Sequence, residues 1–297
     1  IMKITFLGTG AMQPTRDRNL TAIYVNYDSE NILFDCGEGT QRQMKIAKVA
    51  PTKITKVIIS HFHADHILGL GGFLRNLEAN QYNKTLYIYG PKGLDKYFNN
   101  IINSAYTKLS IKVKLIEIKS GLIINEPKFT IEAFLLEHSV PCYGFRIKEK
   151  DKRKINMQYL SKFGLKQNKI LGDLQRGKDI VWEGKKITVK KGTKIIKGKV
   201  VSLIFDTGYS QKLVKLAKDA DLLISESTLS AKEKDKAKEY KHMTTADAAT
   251  IAKKAKAKKL ILTHFSQRYK DTNELQKEAE KIFKNTECAH DFLTVQV

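Results

Sequence analysis

Four apolar, β-branched runs lie far apart in the chain, and each one stops at a residue type that can ligate a metal. "KVIIS" (56–60) runs directly into "HFHADH" (61–66), and "FTIEAFLLEH" (129–138) ends on His138. "VVSLIFD" (200–206) ends on Asp206, and "KLILTH" (259–264) ends on His264. Runs of this composition and length read as strands. Strand ends on one edge of a sheet converge, and binding sites are assembled there. The chain is therefore constrained to an architecture in which these ends meet.

Further strand-like runs at 3–7, 21–27, 31–35, 85–90, 144–149 and 221–226 alternate with helical patterns at 38–50, 69–80, 93–106, 245–257 and 273–285. Two such strand-and-helix sets predict two sheets packed face to face with helices outside, a single domain over 1–297. Residues 149 to about 195 break the pattern: they are basic, with isolated aromatics and few long apolar runs, and read as an inserted arm. The lysine-rich stretch at 230–241 reads as a solvated face or loop.

His61, His63 and His66 with Asp65 place three of the seven histidines within one short segment. Imidazole nitrogens and carboxylate oxygens without thiolate suit zinc in an open catalytic site better than in a closed structural one. With His138, Asp206 and His264 the donors number seven, too many for one four-coordinate ion. Two ions sharing Asp206 would use them all. The opposing view, ordinary core or surface histidines, must explain the HxHxDH segment and three further strand-end ligands together. His290, near the C-terminus without such partners, reads as structural or exposed. Asp35, ending "NILFD" beside "CGEGT", reads as support that orients a ligand histidine. Gly37 and Gly39 read as permitting a tight turn before a helix.

Cys36, Cys142 and Cys288 are odd in number and widely spaced, which argues against a disulfide framework or a thiolate metal site. No apolar run approaches a membrane span, and the start of the chain lacks the long apolar core of a secretory signal. A cytoplasmic protein without a membrane partner is expected. The net charge of +22 fits a polyanionic partner, although a proteome rich in lysine would inflate it as well.

The HxHxDH segment followed by separate His, Asp and His ligands resembles the metallo-β-lactamase superfamily, over essentially the whole chain. The resemblance implies a four-layer αββα sandwich and a metal-dependent hydrolysis. "FLGTGAMQPTRDRN" (6–19), "FDCGEGTQRQM" (34–44), "ISESTL" (224–229), "HMTTADAA" (242–249) and "LTHFSQRY" (262–269) look like the ribonuclease Z family of tRNA 3′-end endonucleases. The insertion is similar to the family's protruding arm, which grips the tRNA elbow. It departs from the family in reading "GLKQNKILG" where a Gly-Pro element is usual, and Ala64 stands where glycine is common.

By that resemblance His61, His63, His138 and Asp206 would hold one zinc, and Asp65, His66, Asp206 and His264 the other; other divalent metals are possible. Asp65 would be ligand, proton acceptor or both. Glu226 and His242 would form a second acid–base pair at the leaving 3′ oxygen, with a salt bridge and a local cap before "TTAD" as the plainer readings. Thr15, Arg18 and Arg268 are candidate RNA contacts, with a surface ion pair as the alternative for Arg268. The family implies tRNA precursors as substrate, a 3′-OH tRNA and a 5′-phosphate trailer as products, and a homodimer. The rival readings are a phosphodiesterase of the same fold acting on small esters and a non-catalytic RNA-binding protein.

Overall fold

A computed structural model of the protein describes residues 1–106 and 109–297. The chain forms two compact units, one from residues 1–125, 131–147 and 200–297, the other from residues 126–130 and 148–199.

The larger unit is organised by two seven-stranded sheets. The first runs, in spatial order, Thr294–Gln296, Met2–Gly8, Ala22–Tyr27, Glu30–Phe34, Lys56–Ile58, Thr85–Gly90 and Lys112–Glu117. Its first four strands are antiparallel neighbours, and from Glu30–Phe34 onward the pairing is parallel. The second runs Thr286–Cys288, Leu260–Thr263, Leu222–Glu226, Val200–Ile204, Cys142–Glu149, Phe129–Leu136 and Gly121–Asn125. Its first four strands are parallel.

Alternation along the strands decides which sheet face meets what. In the first sheet Leu7, Leu33, Val57 and Ile88 turn toward the helices Thr40–Ile46, Leu70–Ala79 and Leu94–Asn103, packing on Met44, Phe73, Leu77 and Phe98. The residues between them face the second sheet, where Phe34 lies 5.4 Å from Phe145. Helices Lys212–Ala217, Thr245–Lys254 and Asn273–Glu280 pack against strands of the second sheet. Helix, sheet, sheet and helix therefore form the four layers expected. The helix at 245 opens with a capping box, in which Thr244 and Asp247 each accept the other's backbone N–H.

Gly39 has the left-handed backbone, φ +81°, that starts the first helix. Gly37 is required for a different reason: a Cβ there would sit 2.5 Å from the Asp65 carbonyl oxygen. Among the described residues no helix is long and apolar enough to cross a membrane, and Cys36, Cys142 and Cys288 are free and buried.

The smaller unit has its own core of Leu160, Leu165, Leu171, Leu174, Ile180 and Ile187. Lys152–Ile155 pairs antiparallel with Thr193–Ile196, and Ile180–Trp182 with Lys185–Ile187. The latter hairpin turns on Glu183 and Gly184, both with positive φ, as a two-residue turn of this twist demands. The unit is wider than the 149–195 insertion read from sequence. It takes in Glu126–Thr130 because the Lys150 N–H donates to the Lys128 carbonyl at 2.8 Å.

Candidate metal centre

Parallel pairing brings the chemistry to one edge. Asp35 follows the strand ending at Phe34, His61 follows Ile58, Asp206 follows Ile204, Glu226 ends its own strand and His264 follows Thr263. These are carboxyl ends of parallel strands in both sheets. His63, Asp65 and His66 lie on the turn into the short helix Ala64–Ile67, and His138 just beyond Leu136.

One ligand atom each from His61, His63, His138 and Asp206 falls within a sphere suited to one ion, and likewise Asp65, His66 and His264. Asp206 stands between the two sets. Its Oδ2 is 3.6 Å from His61 Nε2, 3.4 Å from His66 Nε2 and 3.9 Å from His138 Nε2, while its Oδ1 is 3.4 Å from His264 Nε2. Asp206, His242 and His264 make a third, overlapping group.

Two observations test whether this set fits a metal. Asp206 Oδ1 is buried and accepts no hydrogen bond, a costly state for a carboxylate oxygen unless a cation faces it. The histidines, moreover, meet nitrogen to nitrogen: His61 Nε2 lies 3.0 Å and His138 Nε2 3.2 Å from His63 Nδ1, and His66 Nε2 lies 3.3 Å from His264 Nε2. Lone pairs so crowded repel one another without a shared positive centre. The donor set fits divalent metal.

The far side of each ring is fastened outward, as metal ligands require. His66 Nδ1 donates to Asp35 Oδ2 at 2.7 Å, and His138 Nδ1 to the Lys241 carbonyl at 3.0 Å. His61 Nδ1 meets Ser60 Oγ at 2.9 Å, and His264 Nδ1 meets Thr228 Oγ1 at 2.9 Å. Asp35 also accepts the Ser60 N–H and hydroxyl at 2.6 and 2.7 Å, so it supports the ligands without joining them. Burial pushes the His61 imidazole well below its ordinary value, keeping it neutral and able to ligate. Burial opposes charge on His66 too, but Asp206, Asp65 and Asp35 outweigh it and raise His66 well above the ordinary value. A metal that takes His66 Nε2 must therefore displace a proton. The Asp65 carboxyl is also buried, yet His66 and His264 hold it well below the usual carboxylate range.

The metal set lies in a cleft of about 1020 Å³, lined also by Met12, Thr15, Tyr240, His242 and Arg268. A second cavity of about 560 Å³, lined by Phe62, Leu68, Tyr97 and Ile101 among others, offers no histidine or carboxylate.

Glu226 is fully buried, 1% exposed, behind the cleft-lining His242 and Thr228. Its Oε1 accepts from Thr207 N at 2.8 Å and from His242 Nδ1 at 2.9 Å. Its Oε2 accepts the Thr228 hydroxyl at 2.7 Å. Burial disfavours the His242 imidazolium, but the Glu226 charge and hydrogen bond prevail and push it up to about 9.

The candidate RNA contacts separate. Thr15 is half-buried at the cleft, and its hydroxyl accepts the Arg18 N–H at 3.0 Å. Arg18, also a candidate RNA contact, does not face solvent. It is 7% exposed, and its guanidinium donates to the Tyr269 carbonyl, bracing the loop after His264. Arg268 is exposed at the cleft and ion-paired with Glu233. His290 is exposed, with Nδ1 on the Asp291 carbonyl at 2.9 Å. Sequence reasoning missed the roles of Ser60, Thr228 and Lys241, whose hydroxyls and carbonyl hold the ligand rings; each lies in a stretch noted for another reason.

A family model described as Anti-Pycsar protein Apyc1 matches residues 2–157, a span that holds His61, His63, Asp65, His66 and His138 but not Asp206, His242 or His264. Ribonuclease Z of Geobacillus kaustophilus is 36% identical over 306 residues, covering 100% of this chain and 99% of that one. Ribonuclease Z of Ligilactobacillus salivarius is 39% identical over 307 residues, covering 100% and 97%. Among solved structures, the short form of human tRNase Z superposes with a TM-score of 0.71 at 29% identity, covering 99% of each chain. The metallo-β-lactamase fold protein YhfI of Bacillus subtilis superposes with a TM-score of 0.73 at 23% identity over 99% of this chain and 98% of its own, a likeness of fold. Similar from end to end to these ribonucleases, and carrying their fold, the chain belongs to the ribonuclease Z family.

Proposed function

We propose that the protein is the endoribonuclease that removes the 3′ trailer from tRNA precursors, leaving a 3′-OH on the tRNA and a 5′-phosphate on the trailer. The observation that carries this reading is the convergence of seven ligand side chains on the carboxyl edge of both sheets, around the unpartnered Asp206 Oδ1, in a cleft open to a large substrate. Two zinc ions fit the donor chemistry, one held by His61, His63, His138 and Asp206, the other by Asp65, His66, Asp206 and His264. Bound there, divalent metal supplies Lewis-acid activation of water and neutralises charge on the phosphate.

The residues' own work follows from their environments. Asp65, with its Oδ2 anchored by the Met12 N–H at 2.7 Å, is ionised at neutral pH and accepts a hydrogen bond from the attacking water. Its low basicity suits it to orienting that water. His242 presents an imidazolium at the cleft wall, with Nδ1–H engaged by Glu226, so Nε2–H is the proton for the departing 3′ oxygen. Glu226 positions and charges His242 without touching substrate. As the water oxygen bonds to phosphorus, the bond to O3′ breaks and the proton from His242 completes the 3′-OH; one proton of the water stays on the product phosphate, and the other passes to solvent, from which His242 is recharged.

The unit of residues 126–130 and 148–199 is the candidate tRNA-gripping arm. It exposes Lys154, Lys162, Lys166, Lys169, Lys190 and Lys194, which suit backbone phosphates without reading bases. Incubating the protein with one tRNA precursor, with and without chelator, and mapping product ends tests the reading. Hydrolysis of a small bis-ester with no cleavage of the precursor would replace it with the small-ester phosphodiesterase.

A further inference from the structure

The Thr228 hydroxyl oxygen has three polar neighbours: Glu226 Oε2 at 2.7 Å, His264 Nδ1 at 2.9 Å and His242 Nδ1 at 3.2 Å. A hydroxyl has one proton to donate and two lone pairs to receive, and an ionised carboxylate only receives. The Thr228 proton therefore goes to Glu226. What remains on the oxygen can only accept, so His264 Nδ1 must be the donor. His264 is thus the Nδ1–H tautomer, and its Nε2 lone pair points toward Asp206 Oδ1 and Asp65 Oδ2, 3.4 and 3.5 Å away.

We propose that Thr228 is a positioning residue: its single hydroxyl sets the tautomer of His264 and ties that ring to the Glu226–His242 pair. The assignment rests on the reading of His264 as a metal ligand. Main-chain geometry holds Thr228 in place. It lies two residues beyond the strand end at Glu226, and its own N–H also donates to Glu226 Oε2, at 3.2 Å. The same device recurs on the other ligand set. There Ser60 gives its proton to Asp35 Oδ2 at 2.7 Å and receives His61 Nδ1 at 2.9 Å. In both places a buried carboxylate fixes a hydroxyl, and the hydroxyl fixes a ring. The metal-facing nitrogen is thereby kept free of its proton before any ion arrives.

Thr228→Val keeps the shape and removes both proton and lone pairs. Nδ1–H of His264 would then be buried without an acceptor, and the ring gains by moving its proton to Nε2, the atom that should ligate. Thr228→Ser keeps the hydroxyl. The test is made on metal-free protein labelled with 15N, at a pH where the His264 ring itself shows the nitrogen pattern of a neutral imidazole. Long-range 1H–15N correlations read the tautomer, with His264 assigned by comparison with His264→Gln. Nδ1–H is expected in the wild type and in Thr228→Ser, with substantial Nε2–H in Thr228→Val. Competition with a chromophoric chelator should show zinc binding by Thr228→Val weakened about 10- to 100-fold and by Thr228→Ser nearly unchanged. A wild-type His264 in the Nε2–H form overturns the proposal without any variant, which covers the case in which Thr228→Val fails to fold. A folded Thr228→Val that matches the wild type in tautomer and chelator competition overturns it too. Wild-type protein with Nδ1–H on His264 that takes up no metal would instead remove the metal reading and leave the tautomer assignment standing.

Discussion

Glu226→Gln removes one charge from a fully buried position at constant side-chain volume, and so isolates what that carboxylate does to His242. Burial alone disfavours the imidazolium, yet Glu226, 2.9 Å away, and then Asp206 push His242 up to about 9 from its ordinary 6.5. Each unit corresponds to about 1.4 kcal/mol, so the pair contributes on the order of 3 kcal/mol to the metal-free protein when His242 is charged. Because the folded-state value lies above the unfolded one, this stability is complete below about pH 6.5, declines as pH rises and is gone above about pH 9. In the variant burial and the neighbouring His66 lower the imidazole against Asp206 alone, so it falls back from about 9. The glutamine also replaces one acceptor oxygen, facing either Thr207 N or Thr228, by an NH2 donor, but that cost does not vary with pH and cannot imitate the effect. Urea unfolding of metal-stripped wild type and variant across this range, with a proton NMR titration of His242, reads the difference directly. A gap between the two proteins that stays constant from acid to alkaline pH would refute the reasoning. In the loaded enzyme the same substitution should lower tRNA-precursor cleavage by roughly 10²–10⁴-fold, since the general acid is then neutral at working pH.

Asp206→Asn should lose most of both zinc equivalents, read by elemental analysis after gel filtration, because that carboxylate faces both ligand sets; full retention would refute the bridging role. Replacing residues 152–196 with a short Gly/Ser linker should spare hydrolysis of a small phosphodiester. It should also weaken tRNA-precursor binding and flatten its salt slope by nearly one unit for each phosphate no longer neutralised. Arg18→Ala should cost about 1–3 kcal/mol in unfolding free energy by stranding the Tyr269 carbonyl, whereas Arg268→Ala, at an exposed ion pair, should leave stability within about 1 kcal/mol and reduce RNA affinity. Zinc affinity should fall as pH drops, beginning above the ordinary histidine range, because the raised His66 must release a proton to ligate; a pH-independent affinity by chelator competition would contradict that.

The layers and the metal edge were legible because strand ends are short-range signals: an apolar, β-branched run stops, and a rare residue type stands at the stop. The burial of Arg18, a candidate RNA contact, was not legible in "PTRDRN". Its burial depends on a loop some 250 positions later, whose Ser266 and Tyr269 carbonyls are separated from it by 248 and 251 residues. The second unit was visible as a break in pattern, but its strand pairs and its recruitment of Glu126–Thr130 depend on backbone bonds that no composition reveals.

Backbone conformation hid most. Met12, Asp35, Lys241 and His264 are all non-glycine residues with φ between +52° and +61°. Each such residue costs of order 1 kcal/mol or more, and local propensity predicts none of them. All four border the metal set, and each is fixed at a point that the chemistry uses. Met12 holds Asp65 through its N–H, Asp35 holds His66, the Lys241 carbonyl holds His138, and His264 is itself a candidate ligand. Any one of these residues could relax by turning to a right-handed or extended conformation. Doing so would swing a ligand or its anchor out of the cleft and break bonds to partners from other strands. The strain is therefore held by tertiary packing from both sheets, and it lies where local sequence rules yield to the site. The sequence alone locates the metal edge, because ligands are named by residue type. How each ligand is aimed is decided by hydroxyls, carbonyls and left-handed turns that many residue types could supply, and these become visible only when the edge is assembled.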